Sequence, residues 1–142
     1  MLIRPFESND ENPVVELWTI CGLVVPRNDP HEAIRKKLKV NPEWFLVGVL
    51  DEAIIGTCMV GYEGRRGWIN YLAIHPDCRR RGYASAFMHE AERLLREVGC
   101  PKINLQVRTR NVAVIDLYRS IGYELDDVVS LGKRLQETEA RR

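Results

Sequence analysis

The stretch His75–Met88, HPDCRRRGYASAFM, constrains the fold of this chain more than any other segment. It joins an apolar run, WINYLAI, to a segment in which apolar residues recur every three or four positions. The run is typical of a buried strand, and the spacing that follows is typical of one face of a helix. Between them lie Pro76, an arginine cluster and Gly82, which predict a tight basic turn from a strand into a helix.

A turn of this composition is suited to holding phosphate. At the N-terminus of a helix several backbone N–H groups have no intrahelical partner, and the helix dipole is positive there. Gly82 and Ala84 are small enough for the backbone to approach a phosphate closely, and Arg79–Arg81 add positive charge. We therefore expect a diphosphate to bind at this turn largely through main-chain groups.

Length and composition place the chain among soluble globular domains. Its 142 residues are 45% hydrophobic and 29% charged, which suits one domain over residues 1–135 and a tail at 136–142. A net charge of +1 argues against a nucleic-acid partner. No run approaches the ~18 apolar residues of a membrane span, and the N-terminus does not resemble a signal peptide. We expect a cytoplasmic protein that does not bind membranes.

The cysteines and histidines do not form a metal pattern. The four cysteines contain no C-x-x-C pair, and the chain has only three histidines. Both a metal site and a disulfide framework are therefore disfavoured on spacing.

Apolar periodicity along the whole chain predicts an α+β domain, an α/β three-layer arrangement with about four helices. Asp51–Ala53 and Glu63–Gly67 read as hairpin turns, so the sheet should be mostly antiparallel. The predicted helices follow Ser8–Asp10, run from Asn28 through Lys39, end at Gly99, and extend from Asn111 to Gly122. Seven strands are predicted: Leu2–Phe6, Trp44–Leu50, Ile54–Tyr62, Trp68–Ile74, Lys102–Val107, Tyr123–Leu125 and Val128–Leu135.

The basic turn resembles the acetyl-coenzyme A signature of the GNAT N-acetyltransferases, Arg/Gln-x-x-Gly-x-Gly/Ala after a strand that ends in His-Pro. The segment Asn111–Tyr123 is similar to a second family motif, Asn-x-x-Ala-x-x-Leu-Tyr-x-x-x-Gly-Phe/Tyr. Val114 stands where the family has alanine, and Arg80 stands at its usual first loop glycine. Three further segments resemble a bacterial branch called YpeA-type: Gly61–Gly64, Pro101–Asn104 and Ser130–Leu135.

The resemblance implies a GNAT-like sheet whose central strand pair splays apart, with Leu72–Ile74 on one strand and Leu105–Val107 on the other. It also implies acetyl-CoA as the cosubstrate, with its pantetheine arm in the gap between these strands. The residues that would bind the coenzyme are Leu72, Ala73, Ile74, Arg79, Arg80, Arg81, Gly82, Tyr83, Ala84, Asn111 and Tyr118.

Tyr118 matches the tyrosine that in this family faces the coenzyme sulfur, so the resemblance makes it the general acid or thiolate stabiliser. Its alternative role is that of a core aromatic on an apolar stripe. The base is less defined, because Gln106 stands where some relatives have a carboxylate, and an amide cannot take a proton. Glu63, at a hairpin tip, is the nearest candidate carboxylate, although a solvated turn residue is an alternative reading.

Candidate acceptor-binding residues lie in three places: Pro26 and Arg27 in the loop between the first two helices, Asn70 on the motif strand, and Gln106. The loop has an equally good reading as ordinary surface. Asn70 and Tyr71 should alternate faces, so that one of them points toward the acceptor.

Three functions remain open from the sequence. The first is transfer of an acetyl group from acetyl-CoA to a primary amine, of a small molecule or of a protein or peptide N-terminus or lysine. The second is a catalytically silent acyl-CoA-binding module or sensor. The third is a nucleotide or phosphoprotein binder. It is weakest because the sequence contains neither Gly-x-x-x-x-Gly-Lys-Ser/Thr nor Gly-x-Gly-x-x-Gly. The partners expected are acetyl-CoA and an amine, and a homodimer is left open.

Overall fold

A computed structural model of the protein describes residues 1–136. It divides into two compact units, Met1–Leu105 and a second unit that begins at Gln106. A single domain over residues 1–135 stays a prediction. Residues 137–142 of the predicted tail lie outside the described part of the chain.

The first unit is built on one mixed sheet. Its strands are β1 (Leu2–Pro5), β2 (Phe45–Leu50), β3 (Ala53–Tyr62), β4 (Gly67–Ile74) and β5 (Ile103–Leu105). They lie in the order β1-β2-β3-β4-β5; the first three neighbouring pairs are antiparallel, and β4 and β5 are parallel. The predicted mixed, mostly antiparallel sheet is thus confirmed in kind.

Among residues 1–136 the strand count is five, so the prediction of seven strands is wrong. Tyr123–Leu125 and Val128–Leu135 have no regular structure, and β5 is shorter than the predicted Lys102–Val107. The reason is packing: Val129 is 84% exposed and Leu131 is 91% exposed. An apolar alternating pattern forms a strand only where a neighbouring strand and a buried face are present.

Residues 1–136 contain four α-helices, as predicted: α1 (Glu11–Ile20), α2 (Pro30–Lys37), α3 (Tyr83–Glu97) and, in the second unit, α4 (Val112–Ser120). The helix α2 begins at Pro30 because the Asp29 side chain accepts a hydrogen bond from the His31 N–H. It ends two residues before the predicted Lys39.

The sheet of the first unit separates two helical layers. On one face α1 and α2 cover a buried core of Val14, Trp18, Ile34, Phe45, Val47, Met59 and Ala73. On the other face α3 approaches the sheet closely over glycines. A Cβ on Gly56 would lie 2.6 Å from the Phe87 ring, and one on Gly67 would lie 2.5 Å from Leu95. These contacts fix the position of α3, and with it the turn at its N-terminus.

Candidate active site

The N-terminus of α3 presents main-chain donors without a side-chain cap. Gly82 occupies the cap position with φ +82°, and the first helical hydrogen bond runs from the Ala86 N–H to the Gly82 carbonyl over 3.0 Å. The N–H groups of the first turn therefore have no helical acceptor. The first turn also contains no acidic residue that would compete with an anion. Both features suit the binding of a phosphate group.

The turn that leads into α3 is built by short-range hydrogen bonds. The chain leaves β4 through a single 3-10 turn, Pro76–Cys78, in which His75 Nδ1 accepts from the Asp77 N–H over 3.1 Å. Arg79 Nε donates to the Ile74 carbonyl over 3.0 Å, so this arginine is anchored to the end of the strand. Arg80 and Arg81 are exposed, and they place positive charge at the surface of the turn.

The strand β4 pairs with β5 over only part of its length. The parallel pairs are Gly67 with Ile103, Trp68 with Asn104 and Ile69 with Leu105. The strand β4 continues to Ile74 along its other neighbour, β3. This geometry is consistent with the splay that the family resemblance implies.

A β-bulge interrupts β4 at Tyr71. The register with β3 shifts between Thr57 and Met59, and Tyr71 has φ +51° although it is not a glycine. Asn70 lies opposite Met59 on the α1 face, and the Tyr71 ring stacks on Trp18 on that same face. The two side chains therefore share a face, and their predicted alternation is wrong because the bulge inserts one extra residue. Asn70 is exposed and Tyr71 is half-buried.

A buried hydrogen-bond chain reaches the bulge from α1. Trp18 Nε1 donates to Thr57 Oγ1 over 2.9 Å, and Thr57 Oγ1 donates to the Tyr71 carbonyl over 2.8 Å. Both Trp18 and Thr57 are fully buried. Burial also raises the pKa of the Tyr71 hydroxyl, which keeps it protonated. The sequence did not reveal this series of hydrogen bonds. The one available signal was Thr57, a threonine in the middle of an apolar strand.

The Glu63 carboxylate is hydrogen-bonded within its own hairpin turn. It accepts hydrogen bonds from the backbone N–H groups of Arg65 and Arg66. The Arg66 N–H is the larger cause that holds the Glu63 pKa below its usual value. A carboxylate with a lowered pKa is a weaker proton acceptor, so this geometry reduces the support for Glu63 as a base.

In the second unit, Tyr118 lies in the last turn of α4. The helix ends in a Schellman motif, because the Gly122 N–H donates to the Arg119 carbonyl and the Tyr123 N–H donates to the Tyr118 carbonyl. Gly122 takes φ +100° at this end. The motif brings the two tyrosine rings into edge contact, with centroids 5.6 Å apart. Tyr118 is 7% exposed.

The other predicted residues of the second unit lie at exposed positions. Asn111 occupies the cap position of α4, and its side chain makes no capping hydrogen bond. Gln106 Nε2 donates to Ser130 Oγ over 2.5 Å. In the first unit, Pro26 and Arg27 are exposed in the α1–α2 loop.

A surface cleft of about 370 Å³ lies elsewhere in the first unit, between α1 and the β2–β3 hairpin. His75 lines it, but the residues Arg79–Ala84 do not. Within residues 1–136, no helix has the length and hydropathy needed to cross a membrane. Over the same residues, no group of three or more His, Cys, Asp or Glu side chains forms a possible metal site.

A mixed sheet whose fourth strand leads through a basic turn into an uncapped helix is the arrangement that the family resemblance implies. The family model described as the acetyltransferase (GNAT) family matches residues 11–123. The chain belongs to this family and is an acetyl-CoA-dependent N-acetyltransferase.

Bacterial relatives match nearly the whole chain. An acetyltransferase of Yersinia enterocolitica is 47% identical over 135 residues, which cover 95% of this chain and 96% of the relative. An acetyltransferase of Pectobacterium atrosepticum is 46% identical over 137 residues, covering 96% and 97%.

Two solved structures support the fold. The Ard1 protein of Thermoplasma volcanium has a TM-score of 0.75 at 23% identity and covers 88% of this chain and 83% of its own. The structure of AAC(6')-Iy in complex with the bisubstrate analog CoA-S-monomethyl-acetylneamine has a TM-score of 0.75 at 16% identity, covering 94% and 97%. At these identities the likeness concerns the fold alone.

Proposed function

We propose that the protein transfers the acetyl group of acetyl-CoA directly to a primary amine, of a small molecule or of a protein or peptide N-terminus or lysine. The amine nitrogen forms a bond to the acetyl carbon and the carbon–sulfur bond breaks. The departing sulfur takes up a proton, and the amine loses one. The observation that carries this proposal is the N-terminus of α3, with its uncapped N–H groups, its glycine and its lack of acidic residues.

The coenzyme is assigned to two segments of the first unit. Arg79–Ala84 would hold the diphosphate, since the turn combines positive charge with unpaired main-chain donors. Nothing lies within 4 Å of a Cβ built on Gly82, so the space beside its backbone is open to a ligand. Main-chain groups of Leu72–Ile74 would hold the pantetheine arm. In the second unit, Asn111 is assigned to the coenzyme by its motif match alone.

Tyr118 is assigned to the leaving thiolate. Reference pKa values near 10 for tyrosine and roughly 8.5 for a thiol make full proton transfer to a free thiolate uphill by about 2 kcal/mol. Tyr118 therefore acts mainly by donating a hydrogen bond as negative charge develops on sulfur. The motif match and the Schellman motif that orients its helix end support this role.

The acceptor side favours an amine that needs little help to lose its proton. Gln106 is an amide engaged with Ser130, and the lowered pKa of Glu63 makes it a weak base. Neutralising a lysine-type amine at pH 7 costs roughly 4.6 kcal/mol, against about 1.4 kcal/mol for an α-amine. Asn70, Pro26 and Arg27 are the proposed acceptor contacts, because all three side chains are exposed.

The test is release of coenzyme A from acetyl-CoA across a panel of small amines, peptides with free N-termini and peptides with internal lysines. We expect amine-dependent release with at least one class, and an acetylated product with the mass of one added acetyl group. Tight binding of acetyl-CoA without release in any class would instead identify a silent acyl-CoA-binding module.

Replacing Tyr118 with phenylalanine tests the thiolate role. Tyr118→Phe should lower kcat by about ten- to a thousandfold with little change in coenzyme affinity, because the hydroxyl is used as the sulfur departs. The matched control is Tyr123→Phe, since that ring touches Tyr118 and the family motif also has phenylalanine there. Equal kcat values for the two variants, on a substrate with rate-limiting chemistry, would remove the assignment.

A further inference from the structure

The segment Tyr71–Ile74 is held at both ends by side-chain hydrogen bonds. At one end the Tyr71 carbonyl accepts from Thr57 Oγ1. At the other end the Ile74 carbonyl accepts from Arg79 Nε over 3.0 Å and from Cys21 Sγ over 3.4 Å. This segment includes Leu72–Ile74, to which the pantetheine arm is assigned, so its geometry matters to the reaction.

Tyr71 adopts a backbone conformation that a tyrosine disfavours. Its φ of +51° lies in the left-handed region, where the Cβ crowds the following carbonyl. Such a residue persists only where its surroundings over-determine its conformation, and bulges of this kind occur next to active sites. Two contacts do this here: the ring stacks on Trp18 with centroids 4.1 Å apart, and the carbonyl is bound by Thr57.

The Thr57 hydroxyl is the link between the bulge and the core. It has one proton to donate, which goes to the Tyr71 carbonyl, and it accepts the indole N–H of Trp18. Thr57 is fully buried in β3. Valine has almost the same shape and would leave the buried indole N–H of Trp18 and the partly buried Tyr71 carbonyl without this partner.

We propose that Thr57, with Trp18 behind it, is a positioning residue for acetyl transfer. By binding the Tyr71 carbonyl, Thr57 holds the bulge and so aims the main-chain groups of Leu72–Ile74 at the acyl end of the coenzyme. The inference rests on the proposed function. It predicts that the Thr57 hydroxyl affects kcat without touching the substrate, because a small displacement of a positioned group can lower the rate strongly.

The experiment compares Thr57→Val, which removes the hydroxyl, with Thr57→Ser, which keeps it and removes a methyl group. Val60→Ala is the control for loss of stability, since Val60 is fully buried on the same strand and outside the hydrogen-bond chain. Thr57→Val should lower kcat about ten- to a hundredfold, with the Kd for acetyl-CoA within about threefold of wild type. The serine and control variants should keep kcat within about threefold.

A second readout uses the free protein. Amide hydrogen exchange at Leu72 and Ala73 should accelerate selectively in Thr57→Val, whereas Val60→Ala should accelerate exchange evenly across the sheet. If Thr57→Val and Thr57→Ser have equal kcat, or if exchange at Leu72 rises equally in Thr57→Val and Val60→Ala, the positioning role is overturned. If the wild type itself transfers no acetyl group to any amine, the proposed function falls, and the positioning role falls with it.

Discussion

Arg80 adopts a backbone conformation that is unfavourable for arginine, yet its charge suits its position in the turn. Its φ of +64° is a conformation in which glycine is at ease and arginine is strained. The family pattern has glycine at this point of the loop. Here an exposed guanidinium takes its place beside Gly82, where it adds positive charge next to the uncapped helix. Under the proposed assignment of the diphosphate to this turn, the strain would be the cost of a stronger phosphate contact.

Arg80→Gly should therefore raise stability and weaken coenzyme binding at once. We expect the free energy of unfolding to rise by about 0.5 to 1 kcal/mol as the strain is relieved. The Kd for acetyl-CoA should rise about three- to tenfold as a charged contact is lost. Thermal unfolding and calorimetric titration measure the two effects. Arg81→Gly is the control, since it removes a neighbouring charge without relieving a left-handed residue; a gain in stability there as large as in Arg80→Gly would contradict this account.

At the scale of single elements, the helix ends are where local sequence and structure agree best. The helices α1, α3 and α4 all end in the same way, with Gly22, Gly99 and Gly122 at positive φ. In each, the N–H of the next residue donates back to the third-last helical carbonyl. This explains why Gly99 and Gly122 correctly predicted where α3 and α4 end.

The first strand and first helix are joined by a charged pair. Arg4 makes two hydrogen bonds with the Asp10 carboxylate, of 2.7 and 3.0 Å, and the Glu7 N–H donates to the same group. The Arg4 side chain is the main cause that lowers the Asp10 pKa below its usual value. A carboxyl group with a lowered folded pKa stabilises the fold above its unfolded pKa, and that stability is lost as pH falls through the folded value.

Asp10→Asn should lower the free energy of unfolding at pH 7 by about 1 to 3 kcal/mol, because Arg4 loses a buried charged partner. The loss of stability on acidification below about pH 4 should also be shallower than in the wild type. Urea unfolding at a series of pH values measures both. Glu32→Gln breaks an exposed pair with Arg35 and should leave stability unchanged at pH 7. If the free energy of unfolding falls equally steeply below about pH 4 in wild type and Asp10→Asn, this carboxylate does not link β1 to α1.

Strand predictions failed where long-range contacts decide the outcome. The apolar run WINYLAI identified β4 but could not show the bulge, because the bulge depends on Trp18 and Thr57, which are distant in sequence. In a largely apolar run, polar and apolar residues do not alternate regularly, so the sequence does not show which face of the sheet each side chain takes. Val128–Leu135 had a strand-like composition, and only the absence of burial in the structure rules the strand out for the described residues. The basic turn, by contrast, was predictable because its chemistry is local.

For the whole molecule, the acetyl donor is better defined than the amine that accepts the acetyl group. The pH dependence of kcat/KM gives information about that amine. Without a strand carboxylate as base, kcat/KM should rise with pH as the free amine loses its proton. Acceptors with a pKa near 8 should exceed lysine-like acceptors at pH 7, by about two orders of magnitude from the neutral fraction alone. Gln106→Glu should help strongly basic amines more than weakly basic ones. An inflection near pH 6, lost in Glu63→Gln, would reveal a dedicated base and contradict this prediction.

The central claim is that the turn Arg79–Ala84 holds the coenzyme diphosphate, and calorimetric titration of acetyl-CoA into three proteins tests it most directly. Gly82→Glu places a negative charge where the phosphates should lie. Gly99→Glu is matched to it, because both glycines have a similar positive φ and open space beside the Cα, at opposite ends of α3. We expect saturable binding by the wild type and Gly99→Glu, and binding at least about a hundredfold weaker by Gly82→Glu. Binding by Gly82→Glu as tight as by Gly99→Glu, or no binding by the wild type at millimolar acetyl-CoA, would contradict the account.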